Sequence, residues 1–234
     1  MVLFYSLLYE KGKRSRNEDS VVLQRMETRA GEVTMALICD GMGGEDRGEL
    51  ASGYLAECLS VWFYDKLPQT LRHGFNKSRI QRSLQRSLFT VHEELRGFGL
   101  ENSLRCGTTM TMLLMVGRRY LVFQCGDSLA YAIRRRIKPL TPRQGDRRGV
   151  ERCIGIGSFR RPHMSSGYAY GNQGFLLHSD GFGDRISTKD MLNALGGERI
   201  KEREDADKAL RALAGAGMRR GCGDNMSAIY LKCS

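Results

Sequence analysis

The chain has 234 residues, 41% of them apolar, with 37 Lys and Arg against 26 Asp and Glu for a net charge of +11. This composition excludes the disordered class and suits one large domain with a sizeable core, and there is no internal repeat or linker tract. No stretch approaches the roughly 20 apolar residues of a membrane span, and seven cysteines without a C-x-x-C pair argue against a disulfide framework and for a reducing, cytoplasmic setting.

The run from Met1 to Tyr9 is apolar but short. It lacks a preceding basic residue and a small-residue cleavage site, so it reads as a first strand and not as a signal peptide. A polar turn from Lys11 to Ser20 follows, then the strand residues Val21-Val22-Leu23 and a strand from Val33 to Cys39. Glu49 to Leu67 places Ala51, Leu55, Leu59, Trp62 and Phe63 at helical spacing. Arg79 to Arg96 does the same with Ile80, Leu84, Leu88, Val91 and Leu95. Thr108 to Val116 and Tyr120 to Cys125 flank Gly117-Arg118-Arg119 as a hairpin, and Leu129 to Ile133 with Ile137 to Leu140 form another. Gly167 to His178 reads as one strand, Thr188 to Leu195 and Asp205 to Met218 as helices, and Met226 to Cys233 as the last strand. The order is strands, two helices, strands, two helices, strand. It predicts an α+β domain spanning 1–234, with two antiparallel sheets packed together and helices outside.

Three apolar runs end in an aspartate beside a glycine or asparagine: Asp40-Gly41 after Ala36-Leu37-Ile38-Cys39, Asp180-Gly181 after Phe175 to Ser179, and Asp224-Asn225 just before Met226. Carboxylates at three strand tips that converged would repel one another, and a hard divalent cation, Mg²⁺ or Mn²⁺, is their natural counter-charge. Arg14 stands four residues before Glu18-Asp19 and offers a guanidinium fork suited to phosphate oxygens. The glycine-rich Asp40-Gly41-Met42-Gly43-Gly44 lacks either nucleotide fingerprint, G-x-x-x-x-G-K-[ST] or G-x-G-x-x-G. Gly107-Thr108-Thr109, Gly126-Asp127-Ser128 and Ser179-Asp180-Gly181-Phe182-Gly183-Asp184 are each ordinary turn compositions on their own. His178 reads as a hydrogen-bonded core or edge residue on an apolar strand; His73, His92 and His163 read as surface residues.

Taken in order from Arg14 to Asn225, these motifs resemble the metal-dependent protein phosphatases, the PPM or protein phosphatase 2C-type family. That pattern runs R-x-x-x-E-D, D-G-x-G-G with a following G-x-x-A-S, G-T-T, G-D-S, S-D-G and D-N. The resemblance implies a central β-sandwich flanked by helices in α-β-β-α layers. It also implies a phosphoserine/phosphothreonine phosphatase in which a water or hydroxide bridging two Mn²⁺ or Mg²⁺ ions attacks phosphorus directly. Residue by residue, Asp40 would bridge the two metals, Gly41 would give its carbonyl to one, and Asp180 and Asp224 would bind the other. Glu18 and Asp19 would hold waters, Arg14 would grip the substrate phosphate, and Asp127 and Asp184, with Asp180, would match a weaker third metal site. Partners would be phosphorylated proteins as substrates and a eukaryotic-like serine/threonine kinase as antagonist. Neither nucleic acid nor membrane is implied, and a monomer is expected. The rival reading is an inactive pseudophosphatase that keeps the fold as a signalling module.

Two departures stand out. Some members carry His after the bridging-Asp glycine; this chain has Met42 there, as many bacterial-type members do, so a coordinated water would protonate the leaving group. The flap region, about 141–166, is short and basic, with Arg143, Arg147, Arg148, Arg152, Arg160 and Arg161, and is expected to attract acidic phosphosites.

Overall fold

The computed structural model describes residues 2–42, 47–143 and 153–234. Along the chain these form β1 (Val2–Glu10), β2 (Asp19–Thr28), β3 (Gly31–Met42), α1 (Gly48–Val61), a π-helical turn (Trp62–Lys66), α2 (Leu67–Leu71) and α3 (Lys77–Glu101). Then come β4 (Gly107–Thr108), β5 (Met110–Val116), β6 (Arg119–Cys125), β7 (Leu129–Ile133), β8 (Ile137–Pro139), β9 (His163–Tyr168) and β10 (Gly174–His178). The chain ends with α4 (Asp180–Asp184), α5 (Thr188–Leu195), α6 (Arg203–Arg219) and β11 (Met226–Cys233).

Two antiparallel sheets result, with strand orders β1-β11-β10-β7-β8 and β2-β3-β5-β6-β9, and β4 pairs with β3 at its end. The pleat of each central strand explains the layers. In β3, Val33, Met35, Leu37 and Cys39 pack against Leu55, Leu59, Trp62 and Leu84 of the helices. Its alternate residues Ala36 and Ile38 meet Phe175, Leu177, Ile229 and Leu231 between the sheets. In β11, Ala228 and Tyr230 turn the other way, onto Met191, Leu195 and Leu210 of α5 and α6. Both faces of the central strands are therefore dry, which is why they read as unbroken apolar runs. Each fully buried Leu or Phe contributes roughly 1.5–3 kcal/mol. This is the expected α-β-β-α sandwich. None of the seven cysteines forms a disulfide, and no described helix is long and apolar enough to cross a membrane.

Four sequence expectations change. The segment read as one strand from Gly167 to His178 is two strands in different sheets, because Asn172 takes φ 61° and turns the chain between β9 and β10. The first long helix ends its α-helical part at Val61 and continues through the π-helical turn, since Pro68, in the first turn of α2, has no N–H to donate back to the preceding turn. A short helix, α4, replaces the turn expected after Ser179. His92 is fully buried and not on the surface. Its Nδ1 accepts from Gly155 N–H at 3.1 Å and its Nε2 lies 3.2 Å from the Gly157 carbonyl, so it ties α3 to the 155–157 turn.

Candidate active site

The β2–β3 register sets Asp19 directly opposite Asp40. The backbone of Asp40 is held from the other side by the Gly107-Thr108-Thr109 segment. Asp40 N–H donates to Thr109 Oγ1 at 3.0 Å, Thr109 N–H donates to the Asp40 carbonyl at 2.8 Å, and Thr108 Oγ1 donates to the same carbonyl at 3.0 Å. Thr109 Oγ1 lies 3.2 Å from Ser128 Oγ, which couples this clamp to the turn carrying Asp127. Gly41 N–H and Ser52 Oγ donate to the Glu18 carbonyl at 3.1 and 2.6 Å, so the start of α1 fixes the loop that carries Glu18.

The second half of the site comes from the other sheet. Ser179 N–H donates to the Ser227 carbonyl and Ser227 N–H to Ser179 Oγ, both at 3.0 Å, which brings the end of β10 beside the start of β11. Asp180 and Asp224 thereby become neighbours. The approach is so close that a methyl group at Gly181 would overlap the Asn225 carbonyl oxygen and lie 2.9 Å from Asp224 Cβ. Asn225 is the link between halves. Its Oδ1 accepts from Glu18 N–H at 2.9 Å, while its Nδ2 donates to the carbonyls of Lys11 and Arg16 at 2.8 and 2.9 Å.

Arg14 lies at the rim with its side chain 58% exposed, and its Nε and a terminal nitrogen each bond one oxygen of Asp224 at 2.9 Å. Asp184 stands at the edge, paired with Arg185 Nε at 2.9 Å. The sequence motifs thus bring Arg14, Glu18, Asp19, Asp40, Asp127, Asp180 and Asp224 into one electrostatic neighbourhood, with Asp184 peripheral. Gly43, Gly44, Arg147, Arg148 and Arg152 lie outside the described residues.

Burial and mutual repulsion act together on the carboxyls. Burial, reinforced by Asp180 and Asp224, pushes Asp19 up to about 6. Burial and Asp180 push Asp127 up to about 6. Partial desolvation, then Asp19 and Asp180, raise half-buried Asp40 well above the usual range, and crowding by neighbouring atoms raises Asp180 although its side chain reaches solvent. Asp19 Oδ2 and Asp127 Oδ1 are buried without a hydrogen-bond partner.

These are the properties of a cation site: hard oxygen donors, excess negative charge and acceptor atoms left over. The donor chemistry therefore fits divalent Mg²⁺ or Mn²⁺. The side chains are not drawn together into a finished cage, for among the described residues no three Asp, Glu, His or Cys stand in chelating proximity. Asp224 faces Arg14 instead. His178 is no ligand candidate. It is buried, lies flat against Tyr131 at 5.6 Å, and places Nδ1 2.8 Å from the Ser179 carbonyl; burial lowers it to about 4, so it packs as a neutral ring.

A pH signature follows. Asp19 and Asp127 bind protons in the fold that the unfolded chain has already released. The stability they lend is full below the ordinary aspartate value of 3.8 and is lost as pH rises through about 6. In EDTA the melting temperature is expected to fall by roughly 10 °C between pH 4 and pH 7. Saturating Mn²⁺ is expected to abolish that slope; scanning calorimetry at both pH values checks it, and an equal slope with and without metal would refute it.

The sequence model of the protein phosphatase 2C family matches residues 11–215. The chain is 27% identical over 258 aligned residues to the serine/threonine protein phosphatase PstP of Mycobacterium tuberculosis, covering 98% of this chain and 45% of that protein. It therefore spans about half the length of the curated relatives it matches. The S. agalactiae serine/threonine phosphatase structure superposes with a TM-score of 0.83 at 21% identity, covering 99% of each chain. The catalytic domain of PstP in complex with two manganese ions superposes with a TM-score of 0.76 at 24% identity, over 100% of this chain and 99% of that one. Fold and carboxylate-rich site together define a phosphatase-type α-β-β-α sandwich. The chain belongs to the protein phosphatase 2C family.

Proposed function

We propose that the chain is a Mn²⁺- or Mg²⁺-dependent serine/threonine protein phosphatase acting on phosphorylated proteins, with a eukaryotic-like serine/threonine kinase as its natural antagonist. The observation that carries this reading is the convergence of Asp19, Asp40, Asp127, Asp180 and Asp224 beside the exposed fork of Arg14. The continuity of the sandwich supports treating 1–234 as one phosphatase domain with a reduced flap at about 141–166.

Asp40, the Gly41 carbonyl, Asp180 and Asp224 would hold two divalent ions, with Asp127 and Asp184 available to a weaker third. When bound, such ions would activate a water and neutralise the phosphate dianion. The chain's own residues do the rest. Asp19 Oδ2 and Asp127 Oδ1, which no protein group satisfies, are free acceptors for ordered waters. Glu18, held by Asn225 and Ser52, orients water at the opening. Arg14 exchanges the two oxygens of Asp224 for two phosphate oxygens of the substrate, which present the same bidentate geometry.

The test is hydrolysis of p-nitrophenyl phosphate and a phosphothreonine peptide with Mn²⁺ and with EDTA. Turnover only with metal is expected, and its absence would sink the reading. Arg14 also sets up a competition. Arg14→Ala is expected to raise KM for the phosphothreonine peptide about tenfold with a smaller change in kcat. It should also lower the Mn²⁺ concentration for half-maximal activity by about 2- to 5-fold, because an exposed ion pair worth roughly 0.2–1 kcal/mol no longer occupies Asp224. Unchanged KM would remove Arg14 from substrate binding.

A further inference from the structure

Alpha-helix α3 carries Arg79, Arg82 and Arg86 at spacings of three and four, so the three side chains share one face. Facing them, Lys66 and Thr70 come from the π-helical turn and α2. Together they line a groove of about 660 Å³ whose wall includes no carboxylate and no aromatic ring. All four cationic side chains are exposed and, among the described residues, none has an ion-pair partner. Ser83, on the groove wall, is pinned by Trp62 Nε1 at 3.0 Å, so the surface behind the arginines is rigid.

Four like charges around one concavity repel one another and focus a positive field into it. Only an anion relieves this. Guanidinium groups pair best with planar, two-oxygen acceptors, and carboxylates are such groups. The rise along the helix puts Arg79, Arg82 and Arg86 about 4.5 and 6 Å apart. An extended peptide sets same-side residues at about 6.6 Å, near the Arg82–Arg86 spacing, and the long, flexible arginine side chains span the difference at Arg79. A single nucleic-acid strand would want aromatic platforms for its bases, and this groove has none. Lys66 is also remote from the carboxylate cluster. Helix α1 starts at Gly48, against Glu18, and Lys66 comes 18 residues later, about 27 Å along the helical run.

We propose that this groove is a docking site for an acidic, extended segment of a partner protein, separate from the carboxylate cluster. A substrate anchored here would present its reacting group only across about eight extended residues or more. Binding itself needs no turnover and stands apart from the catalytic reading.

The test is fluorescence anisotropy of a labelled peptide of alternating Glu and Ser, carrying no phosphate, titrated with the whole chain. Arg82→Gln with Arg86→Gln is expected to weaken binding about tenfold or more and to reduce its dependence on salt between about 50 and 200 mM. Melting temperature and p-nitrophenyl phosphate hydrolysis should match the parent. Arg160→Gln with Arg161→Gln, on the other basic surface, should leave peptide binding intact. The proposal is overturned if the α3 variant binds the peptide as the parent does, if the Arg160/Arg161 variant is the one that loses it, or if a thymidine oligonucleotide of equal charge binds this groove more tightly.

Discussion

Asp40→Asn is expected to reduce Mn²⁺-dependent hydrolysis of p-nitrophenyl phosphate by on the order of 10³-fold while making the metal-free protein more stable. The two signs come from one cause. Asp40 is half-buried beside Asp19 and Asp180, and partial desolvation together with those like charges raises its carboxyl well above its ordinary range. At neutral pH the fold must therefore either hold a proton the unfolded chain has given up or keep a charge among like charges, and both lower stability. Asn has nearly the same shape and no charge, so it removes that cost. It also removes the donor that two cations would share, and losing several kcal/mol of Lewis-acid stabilisation amounts to about three decades in rate. The rise in melting temperature on adding Mn²⁺ should vanish with it. Asp224→Asn provides the contrast. It should cost comparable activity, yet stability should fall slightly because the bidentate partner of Arg14 is lost. Activity and metal-free melting temperature measured on both variants decide the matter. If Asp40→Asn lost stability together with activity, Asp40 would be a structural residue and its assignment to the metals would fail.

The features legible in the sequence are those with local causes. Central strands dry on both faces leave unbroken apolar runs, so β3, β5 and β11 were plain, and with them the four layers. The six short motifs were legible by their order. Less visible were interactions whose partners lie far apart along the chain. Nothing local marks Asn225 as the clamp on Glu18, 207 positions away, or Thr109 as the acceptor that fixes Asp40. His92 reads as a surface residue because charged residues surround it in sequence, and its partners Gly155 and Gly157 lie more than 60 positions away, inside the basic 141–166 region. The pairing of Arg14 with Asp224 depends on two loops meeting at the rim. The arginines of α3 leave no local mark for a geometric reason: adjacent Arg pairs stand out in a sequence, whereas residues three and four apart gather only once the helix is wound.

Asn225 is the position where a small chemical change should do most structural damage. Its side chain is buried and makes three hydrogen bonds of two kinds, accepting from Glu18 N–H and donating to the carbonyls of Lys11 and Arg16. These bonds close the loop between β1 and β2 against the start of β11. Asn225→Ala leaves those backbone groups without their partner and should cost roughly 3 kcal/mol, lowering the melting temperature by about 10 °C. Activity should fall about 10- to 100-fold, since Arg14 and Glu18 ride on the freed loop and small misplacements are expensive. Asn225→Asp sharpens the argument. The carboxylate still accepts from Glu18 N–H, but it faces two carbonyl oxygens with no proton to offer and adds charge beside Asp19, Asp180 and Asp224. At pH 7 it should be less stable than the alanine variant, although it is the closer isostere. Near pH 5 the gap should narrow, because a protonated carboxyl regains one donor. Calorimetry of the three proteins at the two pH values tests this order. An aspartate variant as stable as the parent at pH 7 would show that the two donated bonds are not what holds the loop.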